Sequence, residues 1–326
     1  MSGVVRLGVL GCSEIADRRA LPAVAASPLV ETAAVASRDP ERARAFADRH
    51  GGRPGTYEDV IKDPDVGAVY VSTPLALHGV WAGEALRAGK HVLCEKPLTG
   101  EPGSTGELVG AARASGLVLR ENFTFLHHPR HRVLTGLLDD GRLGDLRTLS
   151  ATFGIPHVPA GDIRLDPALG GGALNDVGVY PLRLAQALLP GPLQVVGATS
   201  WTDPASGVDV AGHVLLRNPA GVVADLDFGF RHRYRNRYAL WTSTAWLELE
   251  RAFTPPAGAR AVVTIDEQDS SQDVVLPACD QFRESVEDFA RAVLRGPEEE
   301  SRWLDAAVET ARLLDDVRRF AVQHKG

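Results

Sequence analysis

Cysteine is scarce in this 326-residue sequence: Cys12, Cys94 and Cys279 are too few and too scattered for a disulfide framework or a zinc site. No apolar stretch approaches the length of a membrane span, and Met-Ser-Gly-Val-Val-Arg leads straight into a strand-like run rather than a leader. A cytoplasmic protein with no membrane partner is therefore expected. Excess positive charge is missing too. The balance of 35 Lys+Arg against 42 Asp+Glu, net -7, argues against nucleic acid as the main partner. Lysine itself is rare, with Lys62, Lys90, Lys96 and Lys325 in a chain that otherwise uses arginine. Repeats and low-complexity linkers are not visible. What remains is ordinary for a globular chain, 44% hydrophobic and 24% charged, with room for two domains.

The rarity of lysine draws attention to Gly89-Lys90-His91-Val92-Leu93-Cys94-Glu95-Lys96-Pro97-Leu98. Val92 to Cys94 reads as a buried strand that ends in a carboxylate, a lysine and a proline. In an open parallel sheet, that carboxyl edge is where ligands bind. Pro97 restricts Glu95 and Lys96 to extended backbone and is a candidate for a cis bond, which would fix the direction of the ammonium. The plainer reading is a strand-end lysine reaching water past a turn.

The first third carries a nucleotide-binding pattern. Val4 to Leu10 is a β-rich apolar run followed by Gly11-Cys12-Ser13-Glu14-Ile15-Ala16. Against the Gly-x-Gly-x-x-Gly/Ala fingerprint, Gly11 fits the tight turn and Ala16 the close helix packing, while Ser13 replaces the middle glycine. The helix expected over about 15–26 would aim its first amides at phosphate. A second strand, Val30 to Ala36, ends in Ser37-Arg38 rather than in an acid, and Asp39-Pro40 reads as a helix cap with proline at the first position. A hydroxyl and a guanidinium suit a 2′-phosphate, and hence NADP(H), although an arginine there also fits plain exposure. Further strands end at Thr73-Pro74-Leu75, at Glu95 and at Asn122, with helices opening near His78 and at a capping-box pattern, Ser104-Thr105-Gly106-Glu107. This alternation predicts a doubly wound parallel sheet of the Rossmann type over residues 1–124.

Residues 125–326 read as an α+β substrate-binding and oligomerisation domain. A helix is expected over 130–139, a strand over 146–154, a long loop over 155–172 containing Asp162-Ile163-Arg164, and a helix over 173–188. Beyond it Val208, Val210, Gly212, Val214 and Leu216 alternate with Asp209, Ala211, His213, Leu215 and Arg217, and Leu226, Phe228 and Phe230 with Asp225, Asp227 and Gly229, which predicts a mostly antiparallel open sheet with one face buried. Helices over 281–294 and 301–322 close the chain.

Candidate groups have plain alternatives. Asp176 and Tyr180 lie four apart and share a helix face, where an acid and a phenol could serve proton transfer; a solvated acid and a packed tyrosine fit equally. His127, His128 and His131 have metal-like spacing, but no carboxylate stands at ligand spacing and Pro129 interrupts them, so packing is favoured. Tyr234, Tyr238 and Trp241 interleave with Arg231, Arg233, Arg235 and Arg237; single-stranded nucleic acid, a nucleotide diphosphate, or simple strand alternation would each account for them.

With Glu95-Lys96-Pro97, the N-terminal fingerprint and Gly-Gly-Gly-Ala-Leu-Asn-Asp-Val-Gly-Val-Tyr-Pro on the page, the chain resembles the Gfo/Idh/MocA oxidoreductase family along essentially its whole length. It is most similar to the branch of NDP-hexose 3-ketoreductases, through Gly11-Cys12-x-x-Ile15-Ala16-x-Arg18-Arg19, Val35-Ala36-Ser37-Arg38-Asp39-Pro40, Asp162-Ile163-Arg164, Gly207-Val208-Asp209-Val210 and Arg251-Ala252-Phe253-Thr254. The resemblance implies NADPH-dependent reduction of the C3 keto group of a nucleotide-linked, commonly dTDP-linked, deoxysugar. It implies Lys96 and Tyr180 as catalytic groups. It places Gly11, Cys12, Ser13, Glu14, Ile15, Ala16 and Arg18 at the cofactor, with Ser37, Arg38, Thr73, Leu75 and His78. Glu95, Lys96, Asn122, Arg164 and Asp176 complete the cofactor set. Arg19, Lys96, Tyr180, Tyr234 and Trp241 are the substrate-side expectations, and a homo-oligomer, dimer or tetramer, is expected through the C-terminal sheet. Asn175 stands where relatives are often apolar. The alternatives are a free-sugar, inositol or dihydrodiol dehydrogenase of the same family, or a non-catalytic regulator that binds NADP and sugar.

Overall fold

A computed structural model describes residues 3–296 and 300–325. The chain runs β1 (Val5–Leu10), a π turn (Ala16–Ala20) continuing into α1 (Leu21–Ala25), β2 (Val30–Ala36), α2 (Pro40–His50), β3 (Arg53–Gly55), α3 (Tyr57–Lys62), β4 (Ala68–Val71) and α4 (His78–Arg87). Then follow β5 (His91–Cys94), α5 (Pro102–Ser115), β6 (Leu119–Glu121), α6 (Pro129–Asp139), β7 (Leu146–Gly154), and a second π turn (Leu174–Gly178) leading into α7 (Val179–Leu188). The remaining elements are β8 (Gln194–Thr202), β9 (Asp209–Arg217), β10 (Val223–Gly229), β11 (Arg235–Thr242), β12 (Ala245–Glu250), β13 (Val262–Glu267), β14 (Ser270–Val275), α8 (Gln281–Arg295), α9 (Ser301–Phe320) and β15 (Ala321–Lys325).

Two compact units emerge, residues 1–123 with 282–311 and residues 124–281 with 312–326. The first is built on a six-stranded sheet ordered β3-β2-β1-β4-β5-β6, with every pairing parallel. Its inner strand β4, Ala68-Val69-Tyr70-Val71, is buried along its whole length because both faces of the sheet are covered there. On one face Val69, Val71, Val92 and Cys94 pack under α3, α4 and α5. On the other, Leu7, Val9 and Leu93 pack under α1, α2 and α8. The expected cut at residue 124 therefore needs correcting at the C-terminal end. Val286, Phe289, Ala290 and Ala292 of α8, and Leu304 and Ala307 of α9, lie in the two cores of the parallel sheet, so this stretch returns to the first unit.

Helix starts follow local chemistry. Asp39 accepts the amides of Glu41 and Arg42 and so caps α2, with Pro40 in the first turn. The capping-box expectation at Ser104–Glu107 is corrected, because α5 already begins at Pro102. Thr105 is buried within that helix and hydrogen-bonds the Thr99 hydroxyl at 2.7 Å. The reciprocal box occurs instead at Thr56 and Asp59, opening α3.

The second unit holds a nine-stranded sheet ordered β14-β13-β12-β11-β7-β10-β9-β8-β15. It is mostly antiparallel, with parallel pairings at β7–β10 and β8–β15. Phe153, Val214, Leu216, Leu226, Phe228, Tyr238 and Leu240 are buried, and α7 lies against β7 and β10. The last helix stops earlier than expected. Ala321 to Lys325 leaves it and pairs parallel with Ala198 to Thr202 of β8.

Candidate active site

In the first unit the candidate residues collect at the carboxyl ends of the parallel strands. Gly11 follows β1 with φ of 105°, and a Cβ there would lie 2.6 Å from the carbonyl oxygen of Ser72, so only glycine passes. Ser13 accepts the amide of Ala16 at 3.1 Å and hydrogen-bonds Ser72 through its hydroxyl. That accounts for serine at the middle position of the fingerprint: it caps the helix and ties the β1 loop to the β4 end. Cys12 contributes backbone, since its side chain is buried, burial raises its thiol pKa, and its carbonyl accepts Arg42 Nη2 at 2.5 Å. Glu14 and Arg18 pair with each other at 2.6 Å on the exposed side of the helix, while Ile15 is exposed and Arg19 half-buried. At the end of β2 the Ser37 hydroxyl accepts the amide of Asp39 at 3.2 Å and Arg38 is exposed.

The Thr73 hydroxyl is buried at the end of β4 without a hydrogen-bond partner among the described residues. A buried orphan of this kind calls for a ligand or water. Together with the space Gly11 keeps open, it fits a dinucleotide lying along this edge. Leu75, half-buried, follows it. His78, expected at the cofactor, has both ring nitrogens turned to backbone carbonyls. Its ring is buried, with Nδ1 2.9 Å from the Pro97 carbonyl and Nε2 2.9 Å from the Thr73 carbonyl. Burial lowers its pKa against the opposing pull of those carbonyls. His78 thus staples the β4 and β5 ends together.

Lys96 follows β5, is half-buried, and joins Pro97 through a cis peptide bond. The residues on either side of it are pinned. Glu95 Oε1 accepts the Tyr70 hydroxyl at 2.6 Å and Asn122 Nδ2 at 2.8 Å. Ser285 of α8 donates to Asn122 Oδ1 at 2.8 Å, which fixes the orientation of that amide. Glu121 accepts the amide of Leu98 at 2.6 Å. The Tyr70 phenol lies well above its usual pKa because it is buried and faces a carboxylate, so it is held as a donor. Sequence reasoning missed Tyr70 and Ser285; the one available signal was a phenol inside the apolar run Ala68-Val69-Tyr70-Val71. Of the other lysines, Lys90 is structural, donating to the carbonyls of Asp63 and Val66 at 2.8 and 2.7 Å.

In the second unit Tyr180 stands in the first turn of α7, and Asp176 one turn before it in the π turn. The widened turn accommodates Pro181 without ending the helix. Three rings enclose the half-buried Tyr180: Phe153 at 5.2 Å, Phe253 at 5.7 Å and Phe125 at 5.9 Å between centroids. They leave the phenol few orientations. Phe253 is itself held, because Arg130 donates to the carbonyls of Arg251 (3.0 Å) and Ala252, and Asn236 Oδ1 accepts the Phe253 amide at 2.7 Å. Asp162 grips Arg164 through Nε at 2.9 Å and Nη2 at 2.8 Å, and that hydrogen bonding lowers the Asp162 pKa.

The substrate-side aromatics separate. Tyr234 is 3.2 Å from the Thr254 hydroxyl, next to Phe253, and so stands near the Tyr180 cluster. Trp241 does not. It is at the far end of β11, paired with Trp246 and Thr148, on the face opposite Asn236 and Tyr238. Phe153, which touches Tyr180, pairs with Asn236 on the covered face. Trp241 and Phe153, the ring against Tyr180, thus lie on opposite faces of the nine-stranded sheet. Two of the four arginines of the stripe are paired, Arg231 with Asp203 at 3.0 Å and Arg237 with Glu248 at 2.6 Å, while Arg233 and Arg235 are exposed. The histidines also have separate tasks. His128 caps α6, while His131 bonds the Tyr238 hydroxyl at 3.0 Å.

Residues 5–123 match the model of an oxidoreductase family with an NAD-binding Rossmann fold, and residues 131–248 match that of the GFO/IDH/MocA C-terminal domain. The chain is 48% identical to a dTDP-3,4-didehydro-2,6-dideoxy-alpha-D-glucose 3-reductase of Actinomadura kijaniata, covering 97% of this chain and 96% of the relative. It is 49% identical to the protein of the same name from Saccharopolyspora spinosa, covering 90% and 88%. Among solved structures it is similar to KijD10, a 3-ketoreductase from Actinomadura kijaniata in complex with NADP and TDP-benzene. That likeness has a TM-score of 0.96 at 46% identity, covering 99% of this chain and 100% of the other. With both family models matched and identity near one half along its length, the chain belongs to the Gfo/Idh/MocA oxidoreductase family.

Proposed function

We propose that this protein reduces the C3 carbonyl of a dTDP-linked deoxysugar with NADPH. The observation that carries the reading is 48% identity to a dTDP-sugar 3-reductase over 97% of the chain. Lys96 at the ligand edge of the parallel sheet and Tyr180 in its aromatic enclosure support it. When bound, NADPH supplies the hydride. Ser37 and Arg38 would hold the 2′-phosphate, and the first helix amides with the Gly11 turn would hold the pyrophosphate.

Charge grows on the carbonyl oxygen as hydride arrives, and the chain's part is to answer that charge with a proton. A phenol and an ammonium are both donors near neutral pH. Tyr180 and Lys96 are therefore the proposed donors: one transfers the proton, and the charge of Lys96 favours the developing alkoxide. The Glu95–Tyr70–Asn122 hydrogen bonds keep the Lys96 backbone in place. Arg19 and Tyr234 remain proposed substrate contacts, with Arg164 and Asp176 at the cofactor. A homodimer or homotetramer joined through the open face of the nine-stranded sheet, where Trp241 is 58% exposed, belongs to the same reading, as do a cytoplasmic location and a setting in antibiotic deoxysugar synthesis. Light scattering reads the assembly. Among the described residues no helix is long and apolar enough to cross a membrane.

The test is NADPH consumption on a panel of dTDP-3-keto sugars. Lys96→Ala and Tyr180→Phe should each lower kcat by about 10²- to 10⁴-fold while NADPH still binds. Near-parental turnover in both variants would remove the assignment, and equal turnover on the free keto sugar would favour a free-sugar enzyme instead.

A further inference from the structure

The turn that launches the Tyr180 helix is held by a carboxylate from another strand. Gly170 and Gly172 have φ of 81° and 125°, in the region that favours glycine. The amide of Gly171 donates to the Asp166 carbonyl and that of Gly172 to the Arg164 carbonyl, both at 2.9 Å. A Cβ on Gly172 would lie 2.3 Å from Asp209 Oδ1. Gly172 therefore keeps open the place where Asp209 enters.

Asp209 is the first residue of β9, 35 positions away, and its Oδ2 accepts the amide of Leu174 at 2.6 Å. Amides in the first turn of a helix have no partner inside the helix, and a carboxylate answers both the amide and the helix dipole. Loss of water raises the Asp209 pKa, with the Leu174 amide and the Arg318 charge opposing it. Immediately next to Leu174, Asn175 is engaged at both ends of its amide. Nδ2 donates to the Gly170 carbonyl at 3.1 Å, and Oδ1 accepts Arg318 Nη2 at 2.6 Å. Asn175 thus braces the turn against α9. Asp176 and Tyr180 follow Leu174 by two and six residues.

We propose that Asp209 is a positioning residue for the reaction: by holding the Leu174 amide it sets where the helix begins, and so where the Tyr180 hydroxyl stands. The proposal rests on the reading of Tyr180 as a proton donor. A carboxylate with only a structural task would change stability and leave the balance between kcat and binding alone. Misplacing a reacting group by about 1 Å costs about 10²-fold in rate.

Asp209→Asn, Asp209→Ala and Tyr180→Phe are compared in the full chain. The asparagine oxygen still accepts the Leu174 amide, so Asp209→Asn should keep kcat within about 3-fold of the parent. Asp209→Ala should lose about 10²-fold in kcat, with the sugar KM and the NADPH dissociation constant within about 2-fold, and with faster amide exchange at Leu174. Should Asp209→Ala fail to fold, Gly172→Ala displaces the same carboxylate from the other side and should show the same kcat-selective loss. Parental kcat in a folded Asp209→Ala, or equal losses in kcat and both binding constants, would overturn the proposal. Parental turnover in Tyr180→Phe would remove the proton-donor reading and the Asp209 proposal with it, whereas a kcat loss in Tyr180→Phe beside parental kcat in a folded Asp209→Ala would remove the Asp209 proposal alone.

Discussion

Arg38 is the residue on which cofactor choice is proposed to turn. It stands exposed at the end of β2, where an enzyme selective for NAD would place an acid, and Ser37 beside it has its hydroxyl turned to the Asp39 amide. A guanidinium meeting a phosphate makes charge-assisted hydrogen bonds of about 1.5–3 kcal/mol. Arg38→Ala is therefore expected to weaken NADPH binding by about 10- to 100-fold while NADH binding stays within about 2-fold, as titration of the two cofactors would read. Equal losses for both would place Arg38 in the fold of the loop rather than at the phosphate. Residue-level motifs such as this one are legible in the sequence because all their parts lie within a few positions of each other. Tyr70 with Glu95, Leu174 with Asp209 and Asn122 with Ser285 are not, since they join positions 25, 35 and 163 apart. Nothing in one sequence pairs them.

At the scale of elements the same division holds. Strands flanked by their own caps and turns, such as β2 into Asp39-Pro40, can be read directly. What was misplaced depends on distant partners. Ala321 and Val322 continue the apolar helical pattern, but residues 321–325 find the edge of β8, and α8 packs on the parallel sheet although it follows β14 in sequence. A buried ion group shows what draws α8 and the start of α9 to that sheet. Arg120 of β6 donates to Glu300 through Nε at 2.7 Å and Nη2 at 2.6 Å, and to Asp288 of α8 through Nη1 at 2.5 Å. The Trp303 ring lies 4.9 Å from its guanidinium carbon. Burial works against the Arg120 charge, but the two carboxylates outweigh it and raise its pKa. Removing one partner of a buried pair leaves the other charge without an answer, at about 3–5 kcal/mol. Arg120→Met should cost about that much in urea unfolding, and adding Glu300→Leu should recover much of it. If the double variant is no more stable than Arg120→Met alone, the cost does not come from the stranded carboxylate.

Across the whole molecule, the buried histidines set how stability depends on acid. His78, His128 and His131 all have lowered pKa values, each mainly through loss of water, and His128 is brought down to about 4. The surroundings of His131 show why protonation is resisted. Its Nε2 accepts Arg130 Nε at 3.3 Å, so the ring proton sits on Nδ1 facing the Tyr238 hydroxyl, and a second proton would point at a guanidinium. Unfolded, these rings take up protons near pH 6.5. Between that value and about 4 the unfolded chain therefore binds more protons than the folded one, and stability falls as pH falls. Above pH 6.5 both states hold neutral rings and the contribution is complete. Asp162, whose hydrogen bonds to Arg164 lower its pKa, adds its own loss further down, as pH falls through the carboxylate range. The melting temperature should thus decline from about pH 6.5 to 4 before the carboxylates begin to titrate. Replacing His128 by Asn, which still offers an oxygen to the Arg130 amide that His128 now caps, should flatten that decline without lowering stability at pH 8 by more than about 1 kcal/mol. A melting temperature that stays level from pH 7 to 4.5 would mean that the folded chain takes up these protons as readily as the unfolded one, and that the burial of the three rings is not what resists them.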